Sequence, residues 1–250
     1  MAVMTTATLG LWMLFAVLLV CIAFLYSSVG HGGASGYIAL MAAFSYPISY
    51  IKPTALILNI AISGVAFIYF KKYNHFTWSL FYPFAIASIP AAFIGGFLDI
   101  NTKLYKIVLA FFLLVAILRL MGVLKNTSQK SIAFNTPLAL GIGFVIGLFS
   151  GMIGIGGGII LTPVILLLGW GKMKVAAAVS ALFIFVNSIA GIVGYSIHHQ
   201  ISTESFRLVP IALIGGVLGA IYGSNKGSQK ALKYVLTTVL LVACFKLILY

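Results

Sequence analysis

Two glycine-rich segments recur along the chain, and their composition suits the binding of an anion. The first reads Gly-His-Gly-Gly at residues 30–33, and the second reads Gly-Ile-Gly-Gly-Gly at residues 154–158. Glycine inside a helix costs about 1 kcal/mol relative to alanine, so both segments predict a break in an apolar helix. A broken helix exposes a new N-terminus, whose free N–H groups and dipole favour negative charge. The two segments therefore predict an anion site built from backbone.

His31 is the titratable side chain within these segments, and the corresponding position of the second segment is Ile155. Ionisable groups inside a membrane are rare and often functional. His31 could donate hydrogen bonds to an oxyanion or carry a coupling proton. The alternative is a structural histidine that bonds a backbone carbonyl freed by the break.

Polar side chains near the two segments complete the candidate site. Asn59 and Asn187 lie in the middle of apolar stretches, where an amide either holds helices together or hydrogen-bonds substrate. No catalytic residue, metal ligand or cofactor is predicted; His198 and His199 are interpreted as loop residues. The residues predicted to bind substrate are Gly30, His31, Gly32, Gly33, Ser35, Asn59, Gly154, Gly156, Gly157, Gly158, Thr162 and Asn187.

The elements that position these residues are long apolar segments. The chain has 250 residues, of which 62% are hydrophobic and 7% charged, whereas soluble domains carry about 25% charged residues. The composition predicts an all-α polytopic integral membrane protein of about eight to ten transmembrane segments. Residues 1–11, which lead into the first apolar segment, have no Lys or Arg. A permanent span is therefore expected instead of a cleaved signal peptide. The apolar segments are 9–29, 53–70, 78–98, 104–121, 137–153, 175–195, 208–223 and 231–250.

The order of features repeats, which predicts two homologous halves at residues 1–124 and 136–250. Each half has an apolar span, a glycine segment, a short apolar stretch, a basic loop and a span bearing an asparagine, followed by two more spans. The short stretches, 34–44 and 158–169, could complete a crossing or form re-entrant loops. Glycine breaks at matching places of two repeats are typical of transporter sites.

Basic residues favour the crossing interpretation. The chain has fifteen Lys and Arg against two acids, Asp99 and Glu204. With five crossings in each half, ten basic residues fall on one side and five on the other; with four crossings, the division is eight to seven. Because Lys and Arg collect in cytoplasmic loops, we expect five crossings, inverted halves and both termini outside. The basic residues are scattered, so no nucleic-acid partner is expected. The smaller group is Lys52, Lys103, Lys106, Arg207 and Lys246.

The paired motifs resemble the sulfite exporter TauE/SafE family of membrane permeases. The resemblance rests on residues 30–33 and 151–158, on Thr162-Pro163, and on the Lys-Val-Ala-Ala-Ala-Val-Ser segment at 174–180. It covers nearly the whole chain, and the first half departs from the usual pattern by carrying His31. The resemblance implies transport of sulfur-containing anions such as sulfite, sulfonates or small organosulfur acids.

Three classes of function remain at this point. A secondary transporter of small anions in the cytoplasmic membrane comes first, and a passive anion channel is the alternative. A membrane-embedded enzyme is least favoured, because the sequence has no paired carboxylates, metal-ligand cluster or nucleophile elbow. It also has no phosphate-binding loop that would power transport with ATP. The expected partners are the small anion and the lipid bilayer, and a homo-oligomer is left open.

Overall fold

The computed structural model describes residues 6–98 and 133–228, together with positions 114, 231, 234, 237, 238 and 241. The elements within the described residues are all helical. Six of their helical stretches, counting Thr203–Lys226 as one, are long and apolar enough to cross a membrane, which confirms the predicted all-α, polytopic membrane fold. The predicted span at 104–121 and most of 231–250 lie outside the described residues.

The first half contributes four described helices, in the order long, short, long, long. They are α1 (Thr6–Ser28), α2 (Ala34–Ala43), α3 (Ile48–Lys72) and α4 (Trp78–Phe97).

The second half repeats this order. Its helices are α5 (Thr136–Ile153), α6 (Gly158–Leu167), α7 (Met173–Ser196) and α8 (Val209–Ile221), with a 3₁₀ turn (Thr203–Leu208) before α8 and a π turn (Tyr222–Lys226) after it.

Both predicted helix breaks are present, and glycines in the left-handed region form them. Gly30 and Gly33 have φ of 75° and 100°, and Gly154 and Gly157 have φ of 83° and 76°. A side chain in this region costs about 1–2 kcal/mol. In each half, one such glycine follows the long first helix and another precedes the short helix. The glycines therefore let the chain leave one helix and start the next within a few residues.

The short helix α2 returns along α1 toward the side from which α1 starts. Near the break, the Tyr26 hydroxyl lies 2.6 Å from Ser35 Oγ. At the other end, the rings of Phe15 and Phe44 are 5.2 Å apart. The short helix thus runs antiparallel to α1, while a full crossing of the membrane by the short stretch stays a prediction.

The second half makes the same turn. A Cβ on Gly157, at the start of α6, would lie 2.7 Å from Ile146 and 3.3 Å from Ser150 Cβ, both on α5. Beyond the end of α6, the Trp170 ring lies 4.8 Å from that of Phe134, which precedes α5. Each half therefore has a hairpin whose tip is a glycine break.

The fourth helix of each half packs on the first helix of the other half through close backbone contact. Along α5, a Cβ on each of three small positions would clash with successive turns of α4, and the same holds along α8 and the π turn after it against α1. The glycine spacing at 143, 147 and 151 thus serves helix packing. The contacting pairs are Gly143 with Phe84, Gly147 with Ser88, Gly151 with Ala92, Gly215 with Val20, Gly219 with Phe24 and Gly223 with Ser28.

The third helices, α3 and α7, cross the centre in opposite directions. Lys52 near the start of α3 lies over the ring of Tyr195 near the end of α7. At the opposite end, Phe70 clusters with Ala177. The two helices are therefore antiparallel, and the inverted arrangement of the halves stays a prediction. The division at 1–124 and 136–250 stays a prediction, because the region between the halves lies mostly outside the described residues.

Candidate functional site

Asn59, in the middle of α3, joins the two glycine breaks. Its Oδ1 accepts a hydrogen bond from the Ala34 N–H at 3.0 Å, and its Nδ2 donates to the Ile155 carbonyl at 2.9 Å. The side chain is fully buried. Ala34 begins α2 and Ile155 lies in the second break, so one amide connects equivalent regions of the two halves. The two breaks therefore meet within the protein.

The glycines near Asn59 leave no room for a side chain. A Cβ on Gly32 would clash with Asn59 Oδ1 and lie 3.0 Å from Ile184 Cγ2. A Cβ on Gly156 would lie 2.6 Å from the same Ile184 carbon and 2.9 Å from Ser188 Oγ. Ile184 thus forms a wall shared by both breaks. Glycine at these positions allows the backbone itself to line the site.

The short helices point their N-termini at this meeting point. In α6, the amides of Ile160 and Leu161 both donate to the Gly157 carbonyl at 3.1 Å. The amides of Gly158 and Ile159 precede the first intrahelical bonds and have no helical acceptor. Neither α2 nor α6 has an acidic residue in its first turn. The positive ends of both helix dipoles are therefore available to an anion.

Five buried polar atoms lack a hydrogen-bond partner within the part of the chain that the structure describes. Buried polar groups in proteins are nearly always paired, and an unsatisfied one costs about 1–3 kcal/mol. These atoms are therefore the strongest candidates for contact with a bound polar molecule. They are His31 Nε2, Tyr37 Oη, Ser150 Oγ, Asn187 Oδ1 and Ser188 Oγ.

His31 has a defined tautomer in its neutral form. Its Nδ1 lies 2.9 Å from the Val29 carbonyl, and because a carbonyl can only accept, Nδ1 carries the proton. Nε2 is then a bare lone pair when the ring is neutral and an N–H donor when the ring is protonated. The side chain is buried, and the Gly158 backbone of the second break lies close to the ring. His31 therefore belongs to the first break and faces the second.

Asn187 is placed differently from Asn59. Its Nδ2 donates to the Phe183 carbonyl one turn earlier in α7, at 2.8 Å, which leaves Oδ1 unpaired. Asn187 thus offers an acceptor to the interior, whereas Asn59 uses both of its polar atoms to join the breaks. The two asparagines are not structural equivalents, although both are central and buried.

The other predicted polar residues use their hydroxyls in helix packing. Ser35 Oγ pairs with the Tyr26 hydroxyl, and Thr162 Oγ1 donates to Ser180 Oγ at 2.7 Å. Thr162 and Ser180 thereby hold α6 against α7. The structure brings the predicted glycines, His31 and Asn59 together, while binding of substrate by any of them stays a prediction.

Sequence reasoning missed four residues beside the breaks: Tyr37, Ser150, Ser188 and Lys52. The signal available in the sequence was their helical spacing from residues already assigned to the site, because residues three or four apart share a helix face. Tyr37 lies four positions after Gly33, and Ser150 four positions before Gly154. Lys52 lies seven positions, about two helical turns, before Asn59.

The fold and the paired breaks define a polytopic membrane protein of the transporter class. The profile of the sulfite exporter TauE/SafE family matches residues 14–247. The chain belongs to that family, in agreement with the resemblance seen in its motifs.

Three curated relatives carry the same general description. The probable membrane transporter protein y4hK of Sinorhizobium fredii is 36% identical over 98% of this chain and 100% of its own length. The probable membrane transporter protein YunE of Bacillus subtilis is 27% identical over 73% of each chain. The probable membrane transporter protein MJ0441 of Methanocaldococcus jannaschii is 26% identical, over 75% of this chain and 74% of its own. No solved structure was found to match.

Proposed function

We propose that this protein carries a small sulfur-containing anion, such as sulfite or a sulfonate, across the cytoplasmic membrane. The observation that carries the proposal is the meeting of both breaks at Asn59. Unpaired, buried polar atoms lie beside both breaks, with Tyr37 Oη near Gly33 and Ser188 Oγ near Gly156. A compact oxyanion can take several hydrogen bonds at once from backbone amides and hydroxyls.

The distribution of charge supports an anion as the substrate. The sequence has two acids against fifteen Lys and Arg. Of the two acids, Glu204 lies in the 3₁₀ turn with its carboxylate 3.6 Å from Arg207, and Asp99 lies outside the described residues. Among the described residues, the polar atoms found at the breaks thus come without a neighbouring carboxylate that would repel an anion.

A passive anion channel is the second candidate, because it would use the same site without alternating access. A countertransport assay distinguishes a carrier from a channel. A carrier accelerates uptake of labelled substrate when the vesicle is preloaded with unlabelled substrate, since binding and return are coupled; a channel does not. The wild-type protein in proteoliposomes should show this acceleration.

The experiment measures uptake of sulfite, thiosulfate, sulfoacetate and taurine by the reconstituted protein. We expect uptake of at least one, and loss of at least tenfold in Gly156→Ala, whose Cβ would approach Asn59 and Ser188. Gly141→Ala is the matched control, because nothing lies within 4 Å of a Cβ there. Absence of uptake for all four compounds would overturn the proposed substrate class, and full activity of Gly156→Ala would overturn the site.

A further inference from the structure

The two breaks can be compared position by position. Equivalent residues lie 124 positions apart, since α2 spans residues 34–43 and α6 spans residues 158–167. Gly33 and Gly157, the left-handed glycines that precede these two helices, keep the same offset. Each side chain beside one break therefore has a defined counterpart beside the other.

Side chains of the first half cap and cover the start of α2. The Ala34 amide donates to Asn59 Oδ1 at 3.0 Å. A Cβ on Gly33, one residue earlier, would lie 2.5 Å from the Tyr37 ring, so that ring occupies the space in front of the glycine. The first break therefore already has a polar partner and a cover from within the chain.

The counterpart of Asn59 supplies no acceptor at the start of α6. This counterpart is Phe183, whose Cε1 would lie 2.9 Å from a Cβ on Gly157. Its ring carries no atom that accepts a conventional hydrogen bond from the amides of Gly158 and Ile159, which also have no acceptor within the helix. The start of α6 therefore lacks the partner that Asn59 gives to the start of α2.

Three positions beside the second break differ from their counterparts in the same sense. The first-half counterparts are Tyr26, whose hydroxyl lies 2.6 Å from Ser35 Oγ, Ser63, whose hydroxyl donates to a carbonyl of its own helix, and Gly64, which has no side chain. In the second half, all three positions carry buried polar atoms without a partner among the described residues. These atoms are Ser150 Oγ, Asn187 Oδ1 and Ser188 Oγ.

The two serines lie against the backbone of the second break. A Cβ on Gly156 would lie 2.9 Å from Ser188 Oγ, and a Cβ on Gly157 would lie 3.3 Å from Ser150 Cβ. Both serines are buried, and buried hydroxyls are nearly always paired. Their unused O–H groups and the amides at the start of α6 form one set of donors, which is the arrangement that an oxyanion needs.

We propose that the anion binds at the second break alone, where the Ser150 and Ser188 hydroxyls and the amides at the start of α6 donate to its oxygens. The inference rests on the proposed function. At the first break, Asn59 and Tyr37 occupy the place that the anion takes at the second. Asn187 Oδ1 is an acceptor and receives a bond from a donor on the substrate, such as the O–H of hydrogensulfite. Each chain therefore binds one anion.

The test removes a hydroxyl at two equivalent positions, with Ser150→Ala beside the second break and Tyr26→Phe beside the first. In proteoliposomes, with sulfite and sulfoacetate as probes, Ser150→Ala should raise KM by about tenfold, because a donor to the anion is lost. Tyr26→Phe should keep KM within about twofold of the wild type. Tm in detergent should respond in the opposite way, since Tyr26→Phe loses the contact with Ser35, whereas the Ser150 hydroxyl has no partner to lose.

Ser188→Ala and the double variant Ser150→Ala/Ser188→Ala extend this comparison. Ser188→Ala should also raise KM by about tenfold, and the double variant should raise it by at least about thirtyfold. The Tm of both should stay close to that of the wild type, because only unpaired hydroxyls are removed. Ser63→Ala is the control for a buried serine that already has a partner, and it should keep the wild-type KM.

Equilibrium binding of radiolabelled sulfite to the purified protein measures the number of sites. The wild type should bind one sulfite per chain, and the double variant should lose most of this binding at the same concentration. Wild-type KM in the double variant, or two equivalent sites per chain, would overturn this inference and leave the proposed function in place. Failure of the wild type to take up either probe or the other two sulfur compounds would overturn the proposed function together with it.

Discussion

The two glycine breaks share a backbone and differ in the side chains beside it. Each places left-handed glycines between a long helix and a short one. The first break adds His31 and Tyr37, whereas the second has Ile155 in place of the histidine and has Ser150 and Ser188 beside it. Both breaks therefore require glycine backbone that no side chain covers, while the side chains around that backbone differ.

Because their side chains differ, we expect the two breaks to have different functions in transport. The first holds a ring whose charge depends on proton binding. The second has the Ser150 and Ser188 hydroxyls and the aliphatic stem of Lys52 beside it. Sensitivity to pH should therefore depend on the first break, and capture of the anion on the second. Asn59 bonds to both and should govern whether the two stay together.

The largest effect is expected from a negative charge at the second break. Gly157→Asp should lower transport by at least about a hundredfold, because a fixed carboxylate competes for the helix N-terminus and repels the substrate. Gly157→Ala should lower it by about tenfold, since φ is 76° and a Cβ would lie 2.7 Å from Ile146. Initial uptake rates, normalised to inserted protein, give the measurement.

Gly141→Ala again provides the control, because that position is exposed and has open space around it. It should transport at the wild-type rate. If Gly157→Asp inserted normally and kept wild-type transport, the second break would not bind the substrate, and the assignment of work between the breaks would be wrong.

The second largest effect is expected on thermal stability, which should fall more when Asn59 is replaced than when Asn187 is replaced. Asn59→Leu leaves the Ala34 amide and the Ile155 carbonyl unpaired, at about 1–3 kcal/mol for each buried group. Asn187→Leu removes a bond within one helix and an acceptor that was already unpaired. We expect a clearly lower Tm in detergent for Asn59→Leu and a Tm within a few degrees of the wild type for Asn187→Leu.

The same substitution at two buried positions of similar depth makes each variant the control for the other. Transport should fall in both if both side chains belong to the site. Equal loss of Tm in the two variants would show that Asn59 does not have a special role in joining the breaks.

Much of the fold could be predicted because membrane insertion constrains local sequence strongly. The long apolar segments, the two breaks and the packing role of Gly143, Gly147 and Gly151 follow from hydropathy and from the conformational properties of glycine. The distribution of Lys and Arg favours a crossing by the short stretch that holds α2, and that crossing stays a prediction. These features depend on short stretches of chain and on the bilayer.

The arrangement of the site depends on contacts that sequence spacing does not encode. Asn59 and Asn187 have similar sequence contexts, yet one joins the halves and the other bonds within its own helix. By sequence position alone, Lys52 is one of the loop cations. Its contact with Gly154 forms only when α3 packs on the other half, so sequence spacing could not predict it. Side-chain partners across a repeat interface require the three-dimensional structure.

The smallest expected effect is on the pH dependence of transport, and it tests whether the first break is the titrating one. When His31 is neutral, Nδ1 donates to Val29 and Nε2 presents a lone pair, which disfavours an approaching anion. When the ring is protonated, Nε2 becomes a donor and the site gains a positive charge. Uptake should therefore rise by several-fold as the pH falls through the range in which His31 binds its proton.

His31→Gln keeps a hydrogen-bonding side chain and removes the titration, so it should transport with a nearly flat pH profile. His198→Gln is the matched control: His198 lies in an open cleft at the end of α7, against the Phe97 ring, and its loss should leave the profile unchanged. A proton carried with each monovalent anion would make transport electrically neutral, so imposing a membrane potential should not alter the wild-type rate at low pH. If His31→Gln transports with the wild-type pH profile, His31 is a structural residue that bonds the Val29 carbonyl, and the two breaks differ in shape without differing in proton binding.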